Sequence, residues 1–434
     1  MAYVETYYRR RMGAASPRPP LGDCLEADVC VVGGGLAGLS TALDLTRAGR
    51  RVCVLEAERI AWGASGRNGG FVSPGYSAGV DTILRHVGAD DARALHRLSV
   101  EGVQAVADNL STLAIDAAAP VAGYLSASRY DAADELRAQR DRLERDFDYA
   151  VEFWPRERVR EILLSDRYHQ GLYHPRAFHF DPLAYSHGLA AEIERLGGSV
   201  FESCPVVALQ IEGADHRVRT AAGEVRAKDV VIATGGYTGR LAPRLHASYL
   251  PVATYVMLTR ADPDLVATAI RTPMAIGDRR RAGDYYRVVD GGERILWGGK
   301  ITTRTSEPRR LADLLRRTMA STYPQLRDVQ VDMAWSGLMA YARHLMPQIG
   351  ALGPGLWCCT AFGGHGINTT AIGGRLIAEA ITGKSDRYRL FAPFGLVWNG
   401  GLAGRAAVQA AYWALQTQDA FNERAGSRGR GVQR

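Results

Sequence analysis

At 434 residues the chain is long enough for two or three domain-sized units with large cores, and 47% hydrophobic with 23% charged residues is an ordinary globular composition. The net charge of +7 is spread along the chain with no compact Lys/Arg block among aromatics, which argues against a nucleic-acid partner. No apolar run reaches the roughly 18 to 20 residues that cross a bilayer, the segment through Pro20 lacks the apolar stretch of a secretory signal, and the six cysteines show neither a C-x-x-C pair nor metal-ligand spacing, so a metal-free cytoplasmic protein is expected.

Residues 1–26 read as an irregular arm, because Pro17, Pro19 and Pro20 block a helix. Val29-Cys30-Val31-Val32 is a short β-branched run that feeds Gly33-Gly34-Gly35-Leu36-Ala37-Gly38, a G-x-G-x-x-G turn with its glycines at Gly33, Gly35 and Gly38. The first permits a tight turn, the second lets the backbone approach a pyrophosphate, and the third lets a helix pack closely on the strand. A helix over 36–48 points its positive end at that pyrophosphate. The next strand, 51–55, ends at Glu56, about 20 residues past the glycines, where a carboxylate binds ribose hydroxyls and disfavours a 2′-phosphate. Strand, turn, helix, strand and acid in this order predict a bound dinucleotide.

The pattern from 81 to 145 is helical, with apolar residues at mixed three and four spacing through 92–110 and 133–143. A helix over 181–196 ends at Gly197-Gly198, and strands follow near 199–201 and 206–211. The segments 217–220 and 224–226 alternate around Gly223 as a hairpin does. They lead into Asp229-Val230-Val231-Ile232-Ala233-Thr234-Gly235-Gly236, a buried strand ending in small residues where larger side chains would collide with the cofactor. Segments 250–260, 285–289 and 295–304 read as strands of a second sheet that floors and walls a substrate pocket. A strand over 356–362, the turn Gly363-Gly364-His365-Gly366 and a helix over 369–382 follow. The helix over 402–419 carries an apolar stripe with Trp413 and Leu415 that either packs on the nucleotide domain or meets a membrane surface. The arginine-rich end after Ala425 is expected to be flexible.

Several motifs in order resemble the D-amino-acid-oxidase superfamily of FAD-dependent oxidoreductases. They are the 29–38 turn with Glu56, Gly63-Ala64-Ser65-Gly66-Arg67-Asn68-Gly69-Gly70, Gly171-Leu172-Tyr173 leading to Phe180-Asp181-Pro182-Leu183, Ala233-Thr234-Gly235-Gly236, Trp335-Ser336-Gly337-Leu338 with Pro347-Gln348-Ile349-Gly350, and Phe362-Gly363-Gly364-His365-Gly366. The string from Ala64 to Gly70 and the 391–420 stretch with Tyr412-Trp413 are similar to the γ-glutamylputrescine oxidase branch. The resemblance implies an α/β fold. A Rossmann-like FAD-binding domain (20–80, 178–245 and 336–400) is interleaved with an α+β substrate domain on a mostly antiparallel sheet (81–177 and 246–335). A C-terminal helix (401–424) and a flexible tail (425–434) follow. Carried over to this chain, Gly33, Gly35, Leu36, Ala37 and Gly38 serve the FAD pyrophosphate, Glu56 with Ala57 the ribose, and Val206 or Val207 the adenine. Ser65, Gly66, Arg67, Asn68, Gly69 and Gly70 approach the flavin ring or the pyrophosphate. Thr234, Gly235, Gly236 and Gly337 border the cofactor, and Gly363, Gly364, Gly366, Ile367 and Asn368 bring backbone N–H groups to flavin N1 and O2.

The implied reaction is oxidation of the C–N bond of an amine or amino acid by hydride transfer to flavin N5. The imine formed is hydrolysed, and O2 takes the electrons to give H2O2. A dehydrogenase that feeds a quinone or carrier, and an enzyme that modifies an amine on tRNA, are the alternatives. Lys300, in Trp297-Gly298-Gly299-Lys300, stands where related sarcosine oxidases carry a lysine that assists oxygen; otherwise it is an exposed strand lysine or one half of an ion pair. His365 donates to substrate or flavin, or caps the helix after it. Tyr255 and Trp335, with Tyr341, Arg343 and His344, face the substrate or fill the core. Met339-Ala340-Tyr341-Ala342-Arg343 lacks the cysteine, and Ala64-Ser65-Gly66 the histidine, that attach flavin in some relatives, which implies noncovalent FAD. Asn368 replaces a lysine that holds a substrate carboxylate in some relatives, which weakens a small N-methyl amino acid as substrate.

Overall fold

The computed structural model describes residues 2–428 apart from 212, 214, 240, 281, 282, 304 and 306. Val29 to Val32 is apolar on both faces, the pattern of a strand covered on each side. It forms the end of the strand Cys24–Val32, central in a sheet flanked on one side by Val52–Leu55 and then Ser199–Phe201. Glu224–Ile232, Leu356–Thr360 and Gln348–Gly353 extend the other side. Along these six strands neighbours run parallel except for Gln348–Gly353, which is antiparallel to Leu356–Thr360; His216–Arg219 pairs antiparallel with the start of Glu224–Ile232, the hairpin expected around Gly223, and Ala208–Gln210 pairs antiparallel with it in turn. Strand order reverses between Cys24–Val32 and Glu224–Ile232, and the glycine turn leaves the carboxyl end of the first. Such a switch point opens the crevice where α/β sheets take their ligands.

The second sheet runs in the order Val331–Ala342, Tyr249–Thr259, Arg294–Thr302, Tyr285–Val289, Ala275–Asp278, Val121–Ala127, Gly171–His179 and Phe71–Val72. Among the described residues only the pair Ala275–Asp278 with Val121–Ala127 is parallel. Tyr249–Thr259 is buried at every position: on one face Leu311, Leu315 and Met319 of the helix Leu311–Thr322 pack with Tyr255, Met257 and Trp297, and on the other Val256 and Leu258 join the main core. The fold is therefore α/β, with a Rossmann-like sheet and a mostly antiparallel one.

Three expectations about local structure need correction. The arm is not wholly irregular: Tyr7–Met12 is a helix capped by Thr6, whose hydroxyl accepts from Arg9 N, because the prolines lie downstream of it. The 81–145 region is not all helix, since Val121–Ala127 is a strand with alternating burial between the helices Val80–Thr112 and Ala133–Phe147. The strand expected at 206–211 is confined to Ala208–Gln210. The last helix, Gly401–Arg428, packs through Tyr412 on the second sheet and not on the nucleotide domain, with Trp413 of the expected stripe exposed, and the end of the stretch expected to be flexible, 429–434, lies outside the described residues. Tyr412 Oη accepts from Ile301 N at 3.2 Å, and Gln409 Oε1 accepts from Thr302 Oγ1 at 3.1 Å. Among the described residues no helix is long and apolar enough to cross a membrane.

Candidate active site

Gly33 has φ +110°, and a side chain there would lie 2.7 Å from the Ala233 carbonyl oxygen. One at Gly38 would overlap the Gly33 carbonyl, so the helix Leu36–Arg47 rests directly on the turn. Ser65 Oγ accepts from Leu36 N at 2.9 Å, which ties the second glycine-rich string to the first. Glu56 accepts from Gly34 N at 2.6 Å and from Glu58 N at 2.9 Å. Burial pushes its carboxyl above the ordinary range, and those two N–H groups pull it back.

These groups border one cavity of about 1430 Å3 shared between the two sheets. Of the expected cofactor residues, Gly33, Gly35, Leu36, Ala37, Glu56, Ala57, Ser65, Arg67, Asn68 and Gly69 line it. So do Val206, Thr234, Gly235, Gly236, Gly337, Gly363, Gly364, Gly366, Ile367 and Asn368. Gly38, Gly66, Gly70 and Val207 do not. Gly66 and Gly70 stand where backbones touch, against the Ala61 and Phe180 carbonyls. Val207 is 63% exposed and its N–H is already donated to the Arg219 carbonyl.

Arg67 is the clearest electrostatic feature of the cavity. It is buried, its Nε donates to the Trp62 carbonyl at 2.7 Å and its guanidinium lies 4.1 Å over the Trp62 ring. Its Nη2 has no hydrogen-bond partner among the described residues, and no carboxylate pairs with it there. A buried cation without a counterion is costly, so this wall suits a negatively charged ligand. Across the cavity, His365 opens the helix Gly366–Ile381 with no side-chain capping bond, which leaves the first N–H groups of that helix for a ligand. His365 itself lines the cavity, in surroundings that disfavour its charged form.

Lys300 lines the same cavity with φ +57°. No hydrogen bond or ion pair fixes its ammonium among the described residues, and it adjoins Gly299, where a side chain would overlap Asp284. Burial raises the Asp284 carboxyl to about 6.

The structure does not bring Tyr255 and Trp335 to the cavity. Both are 1% exposed. Tyr255 sits in the core beneath the second sheet, and Trp335 Nε1 donates to the Arg67 carbonyl at 2.9 Å, so it holds Arg67 from behind. Tyr341 and Arg343 do line it, while His344 turns to the Gly395 carbonyl. Sequence reasoning placed the strand that starts at Tyr285 in the pocket wall without singling out its ring, and it missed Asp278, Asp284, Arg280, Trp398 and the Ala403–Leu415 flank of the last helix as cavity walls. A signal existed for Tyr285: Gly298, two residues before Lys300, is where the Tyr285 ring packs. It also missed Tyr8, whose Oη donates to the Asn68 carbonyl at 2.7 Å and accepts from Arg287 Nη2 at 3.0 Å.

A family model described as FAD dependent oxidoreductase (DAO) matches residues 28–380. Gamma-glutamylputrescine oxidoreductase of Escherichia coli (strain K12) is 34% identical over 424 residues, which cover 95% of this chain and 98% of that one. Among solved structures, glycine oxidase from Geobacillus kaustophilus shares the fold with TM-score 0.72 at 20% identity, over 86% of this chain and 99% of that one. L-proline dehydrogenase from P. horikoshii does so with TM-score 0.69 at 18% identity, over 87% and 99%. The glycine turn and its acid, the switch-point crevice and this likeness along nearly the whole length agree: the chain belongs to the DAO family of FAD-dependent oxidoreductases.

Proposed function

We propose that the enzyme oxidises the C–N bond of an amine or amino acid, with O2 as the electron acceptor and H2O2 as product. The observation that carries this reading is the single cavity that reaches from Glu56 and Arg67 to Lys300 and the uncapped helix at His365. Bound FAD supplies the hydride acceptor and the two electrons that reduce O2. The substrate loses a hydride from carbon and a proton from nitrogen, and water hydrolyses the resulting imine to a carbonyl compound and an amine or ammonia.

In this reading the protein holds, orients and charges the site. The Gly35 backbone and the Ala37 and Gly38 N–H groups at the start of Leu36–Arg47 would receive the pyrophosphate, Leu36 N–H being held by Ser65 Oγ, with Glu56 toward the ribose and Val206 toward the adenine. Arg67 and the N–H groups of Gly366 and Ile367 meet the negative charge that the flavin end of the cofactor carries. Lys300, on the cavity lining, would favour the neutral form of a bound amine by charge repulsion and would supply positive charge to the oxygen chemistry that FAD supports when bound. FAD is noncovalent in this proposal, supported by Met339–Arg343 and Ala64–Gly66, which offer neither cysteine nor histidine. The free state of all six cysteines supports a reducing, cytoplasmic setting.

Replacing Lys300 by Met is expected to slow reoxidation of the reduced enzyme by O2 about a hundredfold and to leave anaerobic bleaching by substrate near the wild-type rate. Stopped-flow absorbance separates the two half-reactions. If the bleaching step fails and reoxidation survives, the role given to Lys300 is wrong. Very slow reoxidation of the wild type would instead favour a dehydrogenase.

Gly38→Ala tests the cradle. A methyl group there must push the helix off the turn, at a cost of about 1–3 kcal/mol, and the variant is expected to purify with little flavin. A variant with full flavin absorbance and an unchanged Tm would contradict this.

A further inference from the structure

A second cavity, of about 640 Å3, lies apart from the cofactor cavity and shares no lining residue with it. The second sheet itself opens it. Ala275–Asp278 pairs with Tyr285–Val289 only as far as Tyr286, so beyond that point the strand parts from the ends of Val121–Ala127 and Gly171–His179. Arg287, Val288 and Val289 line the gap on one side, Val121 and His179 on the other. Val266 and Ile270 add an apolar wall, and the volume falls within the roughly 300–1,000 Å3 of small-molecule sites.

The charges on this lining do not cancel in pairs. Arg287 is 4% exposed. Its Nη1 donates to His179 Nδ1 at 2.5 Å, and its Nη2 to Tyr8 Oη at 3.0 Å and the Phe180 carbonyl at 3.2 Å, all of them uncharged acceptors. Its Nε has no partner among the described residues, and no carboxylate there forms an ion pair with it. The two acids on the lining are committed elsewhere. Asp290 accepts from Tyr7 Oη at 2.8 Å and pairs with Arg11 at 3.3 Å and Arg294 at 3.4 Å. Asp181 lies within electrostatic reach of Arg287, but it accepts from Leu183 N and Ala184 N, each at 3.0 Å, and turns its other oxygen to Arg11 at 3.8 Å. At the mouth, Arg271 is exposed and among the described residues donates only to the Ala267 carbonyl, at 3.3 Å. A buried guanidinium bonded to neutral groups alone is costly. A carboxylate that reached it would offset that cost with charge-assisted hydrogen bonds.

We infer that this cavity is a second ligand site, separate from the cofactor cavity, that takes a small carboxylate with an apolar body. Arg287 anchors the carboxylate, Val266, Ile270 and Val288 cover the body, and Arg271 draws the anion to the mouth.

Isothermal titration of the flavin-loaded enzyme with hexanoate and 4-phenylbutyrate, and with their amides, tests this. The wild type is expected to bind the better acid about tenfold or more tightly than its amide. Ala267→Glu sets a negative charge at an exposed position of the lining and is expected to weaken acid binding about tenfold, with flavin content and Tm unchanged. Arg271→Gln, also exposed, is expected to weaken it about threefold. Arg287→Met is expected to abolish binding, but the residue is buried and its loss threatens the fold, so the decision rests on the two exposed variants. Acid binding that either of these leaves unchanged lies elsewhere, the cofactor cavity included, and overturns the inference. Equal affinity for acid and amide, or no binding of either acid at about 10 mM, overturns it as well.

Discussion

Replacing Arg129 by Met is expected to destabilise the flavin-loaded enzyme by about 3–5 kcal/mol, the cost of removing one partner from a buried ion cluster. Arg129 is 5% exposed and joins strands of the second sheet to what lies beyond them. It donates to Asp278 on Ala275–Asp278 at 2.5 Å and to the Thr322 hydroxyl, and lies 3.8 Å from Asp284 and 4.0 Å from Glu423. Without it, two buried carboxylates face a single arginine, Arg280. Burial already raises Asp284 to about 6, so its protonation absorbs part of the imbalance. The shift in urea midpoint is the measurement, and adding Asp278→Asn to the same chain is expected to recover a large part of the loss. A midpoint that moves by less than the equivalent of about 1 kcal/mol would show that the cluster is solvated and cheap to break.

Stability is expected to rise by about 2–3 kcal/mol per pH unit between pH 4.5 and 6. Burial lowers His96, His174 and His187 to about 4 and His179 to about 3. At His179 the cause is visible: Arg287 Nη1 donates to Nδ1, so Nε2 carries the proton and donates to the Pro273 carbonyl at 2.7 Å, with a cation at close range. As pH falls below about 6.5 the unfolded chain takes up these four protons and the native one does not, so stability is lost with acid. Asp181 and Asp284, both raised to about 6 by burial, act in the opposite sense. The native state keeps their protons between about 4 and 6 while the unfolded chain releases them. Asp44, Glu56 and Asp229, raised by burial, stand with the aspartates, and His344 and His365, lowered by it, with the histidines. Four strongly lowered histidines outweigh two raised acids by about two protons near pH 5. Tm followed from pH 4.5 to 6.5 checks the sign, and a flat or falling Tm would refute it.

How much of this was legible beforehand depends on range. The glycine turn could be read because its requirements are local: positive φ at Gly33 and close approach at Gly38 are demands that only glycine meets, within six residues of chain. The central strand was equally plain, since Val29 to Val32 is apolar on both faces. Val121–Ala127 was not, because its alternation is short and lies between two long helical segments. Tyr255 and Trp335 show the limit most clearly. Their residue types and their motifs suit a substrate wall, yet the strands that carry them point those rings into the core, and a one-residue change in register would reverse that.

The cavity wall beyond Lys300 was out of reach for a related reason. Asp278, Arg280, Asp284, Tyr412 and Glu423 are far apart in the chain and carry no spacing that marks them as neighbours. Sequence alone determined the dinucleotide-binding turn and the acid that follows it, because each rests on backbone geometry inside one short window, while the two-sheet flavoenzyme was implied by the resemblance its motifs carry in order. Only the tertiary structure decided which aromatics reach the site, which charges cancel and which buried cations are left without a carboxylate, because those depend on strand register and on the last helix folding back over the second sheet.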